Sequence, residues 1–308
     1  MNGFKYSFGE KRFHTLDYHL KTTFGGKAVK IPLDCGFGCP NRDGKCGVGG
    51  CIFCSEARSG EFAGDFTKPL ALQLEEQKWL YRKWEGAKYI AYLQAGTNTY
   101  APVEELKGIY DEALSLPNVV GLSISTRPDC IDEQIADLLA SYAEKTYLTV
   151  ELGLQSIHDK TLVRINRGHT YADFLQGYRL LKDRGIRICV HIINGLPGET
   201  HEDMLETVRE LARLEIDEIK IHLLHIIDGT KLAEEYTSGK IKPMEYSEYI
   251  EIVCNQLELL PPETVVARLT GDGDRTALLA PLWSRDKRSV LNGIDKELRK
   301  RNSYQGKY

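Results

Sequence analysis

The chain has 308 residues, a length that a single α/β domain with terminal additions commonly fills. Hydrophobic residues make up 42% and charged residues 27%, which excludes a disordered or fibrous chain, and the net charge of −4 excludes polyanion binding over the whole surface. No apolar run approaches the roughly 18 residues of a membrane span and the first residues lack a signal's apolar core, so we expect a cytoplasmic protein without a membrane partner.

Short apolar runs alternate with amphipathic stretches along the chain. Six β-branched runs predict strands at residues 28–34, 88–94, 119–125, 147–154, 187–193 and 218–224. Apolar residues at three-to-four spacing predict helices at 70–84, 103–114, 131–143, 171–183 and 201–214. Gly185 marks a helix end, and Asp129 and Thr200 stand where N-caps are expected. Two later helical patterns, at 244–260 and 288–301, predict additions that cap or extend the core.

The repeated alternation of strand and helix predicts an α/β fold with a parallel sheet and right-handed crossovers. The sheet is either an open doubly wound sheet or a partial (β/α)6 barrel of the TIM type. In both, loops after the carboxyl ends of the strands build the site. We predict a basic N-terminal extension at 1–27, a core at 28–230 and a helical, basic C-terminal extension at 231–308.

Five of the eight cysteines lie between Cys35 and Cys54, directly after the first predicted strand, in the segment DCGFGCPNRDGKCGVGGCIFCS. Its glycines let the backbone pass close to a bulky centre. In a long chain without an export signal, such a group favours metal ligation over disulfides. Cys51 and Cys54 form the most secure ligand pair, while Cys35, Cys39 and Cys46 compete for the next position. Four thiolates around a structural zinc ion or a fully ligated cluster remain an alternative at this point.

The stretch GFGCPNRDG…GGCIFC resembles the cluster loop of radical S-adenosylmethionine (SAM) proteins related to the Elongator catalytic subunit. The resemblance implies a [4Fe–4S] cluster on Cys39, Cys51 and Cys54, with one iron left open to the amino and carboxylate groups of SAM. It also implies that one electron, from a donor such as flavodoxin or ferredoxin, cleaves SAM to methionine and a 5′-deoxyadenosyl radical. Cys35 and Cys46 are extra in that alignment.

Further cofactor contacts are expected from the loops around the first three strands. Phe53 falls where these proteins often place an aromatic ring near the adenine. After the second predicted strand the family usually has a Gly-Gly-Glu-like segment that holds the SAM amino group; this chain departs from it with AGTNTY. We assign Thr97 of that segment to SAM and Tyr100 to the catalytic side. Ser125 and Arg127, after the third predicted strand, bring a hydroxyl and a guanidinium to the barrel mouth.

The fourth predicted strand carries ELGLQS and is followed by NRGH. This pair is similar to the ExGxQS…NRGH stretch of Elongator-like and coproporphyrinogen-dehydrogenase-like radical SAM enzymes. The resemblance implies Gln155 on the ribose hydroxyls and Arg167 on the SAM carboxylate, and an amide and a guanidinium suit those groups chemically. Glu151 is expected to face the lumen, with Arg127 or the SAM amine as its partner. The alternative is a purely structural pair of Glu151 with Arg127.

The last two predicted strands carry histidines. The fifth leads into HIINGLPGET, similar to the family's glycine-containing segment under the adenine, which implies close approach of the ring at Gly195. In the sixth, His222 alternates with apolar neighbours and is expected to face the lumen. We expect His191 to serve the cofactor side and His222 to be a catalytic candidate, the alternative being that both are satisfied core histidines.

Both ends of the chain are basic: residues 285–308 carry a net charge of +5 and residues 1–34 a net charge of +3, which leaves −12 for the middle. The segments RLTGDGDR, APLW…LNGI and a late QG resemble a narrower bacterial subfamily that processes carboxymethylaminomethyl groups on the wobble uridine of tRNA. The wider resemblance spans the chain from Cys39 to about Thr230. Basic ends suit a tRNA backbone, so tRNA, through its anticodon region, is the expected partner, and DNA is not expected.

The resemblance thus implies a radical SAM enzyme that converts 5-carboxymethylaminomethyl(-2-thio)uridine at the wobble position to the 5-aminomethyl form. A splayed anticodon base is expected to meet Tyr100, Arg127, His222 and Arg268 at the barrel mouth. One alternative is a radical SAM enzyme that acts on a small molecule such as a porphyrin or a metabolite. The other is a zinc-stabilised RNA-binding module without catalysis.

Overall fold

The computed structural model describes residues 4–58, 60–79, 82–84, 86–271, 273 and 276–308. Asp272, Asp274 and Arg275 of the RLTGDGDR segment therefore lie outside the described residues, as do Leu80 and Tyr81 of the predicted helix 70–84. The first three residues of the predicted N-terminal extension lie outside them as well.

Strands and helices alternate along the chain. The strands are β1 (Ala28–Leu33), β2 (Lys88–Leu93), β3 (Val119–Thr126), β4 (Tyr147–Gln155), β5 (Arg187–Asn194), β6 (Glu218–Leu223), β7 (Ile226–Ile227), β8 (Val265–Arg268) and β9 (Leu278–Ala280). The helices are α1 (Leu16–Phe24), α2 (Leu70–Lys78), α3 (Val103–Ser115), α4 (Glu133–Ala143), α5 (Asp159–Arg164), α6 (Tyr171–Lys182), α7 (His201–Arg213), α8 (Lys231–Thr237), α9 (Tyr246–Leu259) and α10 (Lys287–Lys300).

Within the described residues, the main sheet has seven strands in the order β1-β2-β3-β4-β5-β6-β8, and every neighbouring pair is parallel. The sheet is curled, because Lys30 on β1 and Lys220 on β6 both bind Glu151 on β4. The α/β fold and its partial barrel are thus confirmed. The prediction of six strands missed β8, which lies between the two predicted C-terminal helices and pairs with β6. The domain boundaries at 28 and 230 stay predictions.

Two of the three helix-end residues predicted from the sequence are confirmed. Thr200 caps α7 in a capping box with Asp203, and Gly185 ends the α6 segment in the left-handed conformation, with φ +68°. The prediction that Asp129 is an N-cap is wrong. Helix α4 starts one turn later, where the Asp132 side chain accepts from the Ile135 amide, and Asp129 lies in a short 3-10 turn instead.

The helices cover the sheet, and the two ends of the chain meet beside them. Helix α10 packs on α9, which in turn packs on α7. The Gln305 side chain accepts a hydrogen bond of 2.8 Å from the His14 amide, and Arg12 Nη1 donates to the Ser303 carbonyl at 3.1 Å. The two basic segments therefore lie together. No helix among the described residues has both the length and the apolar character of a transmembrane segment.

Candidate functional site

A cavity of about 900 Å³ follows the lumen of the curled sheet. Most of the residues expected at the site line it. They are Cys39, Cys51, Phe53, Cys54, Thr97, Ser125, Arg127, Glu151, Gln155, Arg167, His191 and His222. The fold gathers them because parallel strands direct their carboxyl ends, and the loops that follow, to the same edge of the sheet.

Two expected site residues, Tyr100 and Gly195, are not among the described residues that line the cavity. The Lys45 ammonium lies 4.8 Å from the centroid of the Tyr100 ring, on the side of the cysteine segment. The Gly195 amide donates to the Met204 sulfur at 3.3 Å, and a Cβ added at Gly195 would lie 3.7 Å from Met244. Their roles stay predictions, which the arrangement of the cavity does not support.

In the cysteine loop, defined as residues 35–54, the Cys51 sulfur lies close to two hydrogen-bond donors. Asn41 Nδ2 lies 3.7 Å from the Cys51 Sγ, and Arg167 Nη1 lies 3.6 Å from the same atom. A turn from the Cys51 carbonyl to the Cys54 amide, at 3.0 Å, orients the pair. Donors of this kind stabilise thiolate charge and tune clusters held by thiolates. The donor set therefore fits an iron–sulfur cluster on the cysteines that line the cavity.

Asn41 is a residue of this loop that the sequence analysis did not single out. It is fully buried, and its Nδ2 donates to the Asn166 carbonyl at 2.6 Å. A Cβ added at Gly47 would lie 2.0 Å from Asn41 Oδ1, and one added at Gly168 would lie 2.3 Å from it. Asn41 thus connects the cysteine loop to the NRGH segment. Positions 47 and 168 require glycine, because a Cβ at either one would clash with the Asn41 side chain. Its place in the NRDG part of the motif was the available signal.

The two extra cysteines differ from the three assigned ligands. Neither Cys35 nor Cys46 is among the described residues that line the cavity. Burial raises the pKa of the Cys35 thiol to about 12, so this thiol keeps its proton. Cys46 is exposed, and its sulfur lies 3.5 Å from Arg127 Nη2. Among the described cysteines no three sulfurs lie within 4.8 Å of one another, whereas zinc–sulfur bonds of 2.3 Å would bring tetrahedral ligands to about 3.8 Å.

The end of β4 is irregular where it meets the cavity. The register of β4 with β5 shifts between Gly153 and Gln155, and Gln155 has a φ of +80°, which is uncommon for a residue with a side chain. Arg167 Nη2 donates to the Gly153 carbonyl, and a Cβ added at Gly153 would lie 2.7 Å from that nitrogen. Backbone strain of this kind is concentrated at functional sites. The bulge brings Gln155 and Arg167 to the cavity beside the cysteines.

Arg127 has other partners than those expected. Its guanidinium binds the Asp129 carboxylate at 2.8 and 2.9 Å, and Nη1 donates to the Arg167 carbonyl at 2.9 Å. The predicted pair of Arg127 with Glu151 is therefore wrong. Glu151 lies further back in β4, level with lysines from β1 and β6, whereas Arg127 follows β3 and turns toward the cysteine loop.

Glu151 instead anchors a buried network across the lumen, which we call the polar layer: Lys30, Ser123, Glu151, His191 and Lys220. Its Oε1 accepts from Lys30 Nζ and from Ser123 Oγ, each at 2.7 Å. Its Oε2 accepts from Lys220 Nζ and lies 2.8 Å from His191 Nε2. Burial alone would raise the pKa of Glu151, but Lys220 and Lys30 outweigh burial and hold that pKa well below its usual value. The carboxylate therefore stays ionised between two ammonium groups.

Neither lysine of the polar layer was predicted from the sequence. Lys30 is the single charged residue of β1, and Lys220 lies between two isoleucines of β6; a lysine flanked by apolar residues in a strand was the available signal. Lys220 also donates to the Tyr92 hydroxyl at 3.1 Å, and Ser125 Oγ donates to the same hydroxyl at 3.0 Å. Ser125 is thereby connected to the polar layer through Tyr92.

Two imidazoles lie next to the polar layer. The ring centroids of His191 and His222 are 5.4 Å apart. Burial, aided by Lys220, lowers the pKa of His191 to about 4. Burial, aided by Arg268, lowers the pKa of His222 well below its usual value, and its buried Nε2 has no hydrogen-bond partner among the described residues. Both rings are thus neutral near pH 7, and His222 has an unused polar atom.

Two family models match the chain. Residues 35–211 match the Radical SAM superfamily, and residues 216–300 match the Radical SAM C-terminal domain.

The uncharacterized protein YtqA of Bacillus subtilis is 50% identical over 100% of this chain and 96% of its own length. The tRNA uridine(34) acetyltransferase of Methanocaldococcus jannaschii is 33% identical over 52% of this chain and 30% of that protein. The solved structure of Methanocaldococcus infernus Elp3, lacking residues 1–46, aligns with a TM-score of 0.69 and 20% identity over 90% of this chain and 64% of that one, which supports the fold.

Proposed function

Because the chain belongs to the radical SAM superfamily, we propose that it is a tRNA-modifying enzyme that converts 5-carboxymethylaminomethyl(-2-thio)uridine at the wobble position to 5-aminomethyl(-2-thio)uridine. The cofactors of this superfamily, a [4Fe–4S] cluster and SAM, are the cofactors of the chain. When bound, they supply a carbon radical that takes a hydrogen atom from an otherwise unreactive C–H bond. The protein contributes binding, orientation and exclusion of water.

The observation that most strongly supports the proposal is that residues of the cysteine loop and of the polar layer line the same cavity. We assign the cluster to Cys39, Cys51 and Cys54, because three thiolates leave one iron free for a small chelating cofactor. Arg167, which already donates to the Cys51 sulfur, is assigned to the SAM carboxylate, and Gln155 to the ribose hydroxyls.

The remaining cofactor assignments rest on position in the cavity wall. Phe53 packs with an apolar cluster that includes Ile193 and offers an apolar surface for the adenine. Thr97 and Ser125 line the same wall. A cavity of about 900 Å³ is at the upper end of the usual range for ligand sites, so SAM and one nucleobase side chain can share it.

The tRNA partner is supported by surface charge and by similarity. The two basic ends of the chain lie together, and α10 presents Arg288, Lys296, Arg299 and Lys300 to solvent. A surface of this kind attracts a phosphate backbone and makes its binding sensitive to salt. A relative that is a tRNA uridine(34) acetyltransferase is 33% identical to this chain over 52% of its length. The electron donor is proposed to be a flavodoxin or a ferredoxin.

The proposal is tested by mass spectrometry of tRNA nucleosides from a strain that lacks the gene. We expect the carboxymethylaminomethyl nucleosides to accumulate and the forms derived from aminomethyluridine to disappear. Reintroducing the wild-type gene or Cys46→Ala should restore the profile, whereas Cys54→Ala should not. An unchanged profile, with 5′-deoxyadenosine still formed by the purified protein, would favour the small-molecule alternative. A protein that assembles no iron–sulfur cluster would favour the zinc alternative.

A further inference from the structure

Arg268 gives the cavity a positive charge that no carboxylate among the described residues neutralises. It is the last residue of β8, is half-buried, and lines the cavity beside Lys220, its register partner on β6. Among the described residues, no ion pair or hydrogen bond joins Arg268 to a carboxylate. Two other arginines near the sheet are paired with carboxylates, Arg127 with Asp129 at 2.8 Å and Arg187 with Glu218 at 2.7 Å.

The carboxylates nearest to Arg268 along the sheet are already engaged. Glu151 accepts from Lys30, Lys220, His191 and Ser123. Glu218 binds Arg187 at 2.7 Å and lies 3.9 Å from Lys30. Among the described residues of this part of the lumen, four cations, Lys30, Arg187, Lys220 and Arg268, therefore face the two carboxylates of Glu151 and Glu218. An anion that enters the cavity here is stabilised by the surplus charge, because a partly buried site screens charge less than water does.

His222 adds a second polar group that lacks a partner. Its Nε2 is buried without a hydrogen bond among the described residues, and leaving such an atom unpaired costs free energy. Arg268 is near enough to His222 to contribute to the lowered pKa of the imidazole. The Gly271 backbone passes over the ring, since a Cβ added there would lie 3.4 Å from His222 Nδ1. A neutral imidazole next to a guanidinium offers an N–H donor without adding a second charge.

We propose that Arg268 and His222 form a carboxylate-binding subsite, which holds the carboxymethyl end of the substrate side chain. This inference rests on the proposed function, whose substrate side chain ends in a carboxylate. A planar guanidinium matches a carboxylate in a two-pronged hydrogen bond. Because the aminomethyl product lacks the carboxylate, the subsite also distinguishes substrate from product.

The first experiment measures RNA binding without turnover. The cluster-loaded protein, with SAM but without reductant, is titrated into fluorescent anticodon stem-loops whose wobble residue is either the carboxymethylaminomethyl or the aminomethyl uridine. The wild type should prefer the carboxylated RNA by about tenfold, as one charge-assisted pair contributes. In Arg268→Gln the two affinities should become equal, and Arg268→Lys should keep part of the preference. Arg213→Gln, an exposed arginine on α7, is the matched control and should keep the full preference.

The second experiment does not depend on RNA. Phenylglyoxal modifies accessible arginines, and peptide mass spectrometry follows the rate at Arg268 and at Arg213. Iminodiacetate, an amine that carries two carboxymethyl groups, should slow modification of Arg268 and leave that of Arg213 unchanged. His222→Ala should weaken the protection. The unfolding midpoint of each variant shows whether the fold is intact, and Arg268→Lys keeps the charge if Arg268→Gln does not fold.

The outcomes separate the subsite from the proposed function. A preference for carboxylated RNA that survives in Arg268→Gln, or a lack of protection by iminodiacetate, overturns the subsite even if the enzyme converts the nucleoside. Protection at Arg268 by iminodiacetate, together with no binding or conversion of either RNA, supports the subsite and removes the proposed tRNA substrate.

Discussion

The cysteine loop and the polar layer face the same cavity, yet they are built in different ways. The loop is one continuous segment, residues 35–54, whose glycines and donors serve a group bound nearby. The polar layer takes single residues from five different strands, so that Lys30 and Lys220 meet Glu151 only after the sheet has curled. The cysteines that line the cavity therefore come from one local segment, whereas the polar layer is assembled from positions far apart in the sequence.

The two regions also differ in what holds them. Two side-chain amides hold the loop: the buried Asn41 donates to the Asn166 carbonyl, and Asn166 Nδ2 donates to the Gly50 carbonyl at 2.7 Å. Charge balance holds the layer, where Glu151 binds Lys30 and Lys220, and Glu218 lies 3.9 Å from Lys30. We therefore expect loss of a loop residue to abolish cofactor binding, and loss of a layer residue to lower the free energy of unfolding.

The largest expected effect is the loss of the cluster in Cys54→Ala. Removing one of three ligands leaves two thiolates, which cannot keep a [4Fe–4S] cluster in place. We expect iron and sulfide content near zero after anaerobic reconstitution and no reductive cleavage of SAM. Iron analysis and chromatography of 5′-deoxyadenosine provide the measurement.

Cys46→Ala is the matched control for that variant, because it removes a cysteine of the same loop that does not line the cavity. It should keep most of the iron and most of the SAM cleavage. If Cys46→Ala proves as damaging as Cys54→Ala, the ligand assignment is wrong and the loop holds its metal with a different set of thiolates.

The next largest effect is expected in the polar layer. Glu151→Gln keeps the shape of the side chain but removes the carboxylate that binds Lys220 and leaves Lys30 with Glu218, at 3.9 Å, as its remaining described countercharge. Breaking a buried pair in this way destabilises a protein by about 3–5 kcal/mol. The midpoint of urea unfolding should fall accordingly, while Glu251→Gln, an exposed glutamate on α9, should leave it unchanged. A Glu151→Gln protein as stable as the wild type would show that the layer is not held by charge balance.

A smaller effect is expected outside both regions, at the basic surface. Lys296→Glu with Lys300→Glu should weaken binding of the anticodon stem-loop by about tenfold and reduce the slope of log affinity against log salt by about 2, since each phosphate contact contributes about 0.9. The cluster content and the unfolding midpoint should not change. Lys107→Glu with Lys145→Glu, two exposed lysines near α3 and α4, should leave the affinity unaltered. Equal losses in the two pairs would mean that the basic ends are not the RNA surface.

The smallest effect concerns the pH dependence of the polar layer. The pKa of His191 falls from 6.5 to about 4 on folding, so between these values the unfolded chain binds more protons. The stabilisation is complete above pH 6.5 and is lost as the pH falls toward 4. Replacing the titrating group in His191→Gln should remove about 1 kcal/mol of the stability lost between about pH 6 and 5.

Urea unfolding of both proteins across this range gives the comparison. Other histidines with lowered pKa values, such as His19, titrate in both proteins and cancel in the difference. Identical pH profiles for His191→Gln and the wild type would show that the imidazole keeps its ordinary pKa in the fold.

The contrast between the two regions also explains what sequence alone could predict. The ends of β1 to β6 lie within one residue of the predicted strands, because long β-branched runs are local signals. The four-residue β8 was missed, since Val265–Arg268 has too short a pattern to differ from a loop. The Glu151 partners were missed because strand register and curl decide them. Asn41 and Arg167, by contrast, belong to motifs that drew attention to the right segments.

The most direct test of the account asks whether SAM and the wobble side chain meet in this cavity. An anticodon stem-loop, deuterated at both methylene positions of the carboxymethylaminomethyl group, is incubated anaerobically with the loaded protein, SAM and a reductant. Deuterium in the recovered 5′-deoxyadenosine, together with the aminomethyl product, is the predicted result. Unlabelled 5′-deoxyadenosine and an unchanged nucleoside would contradict it.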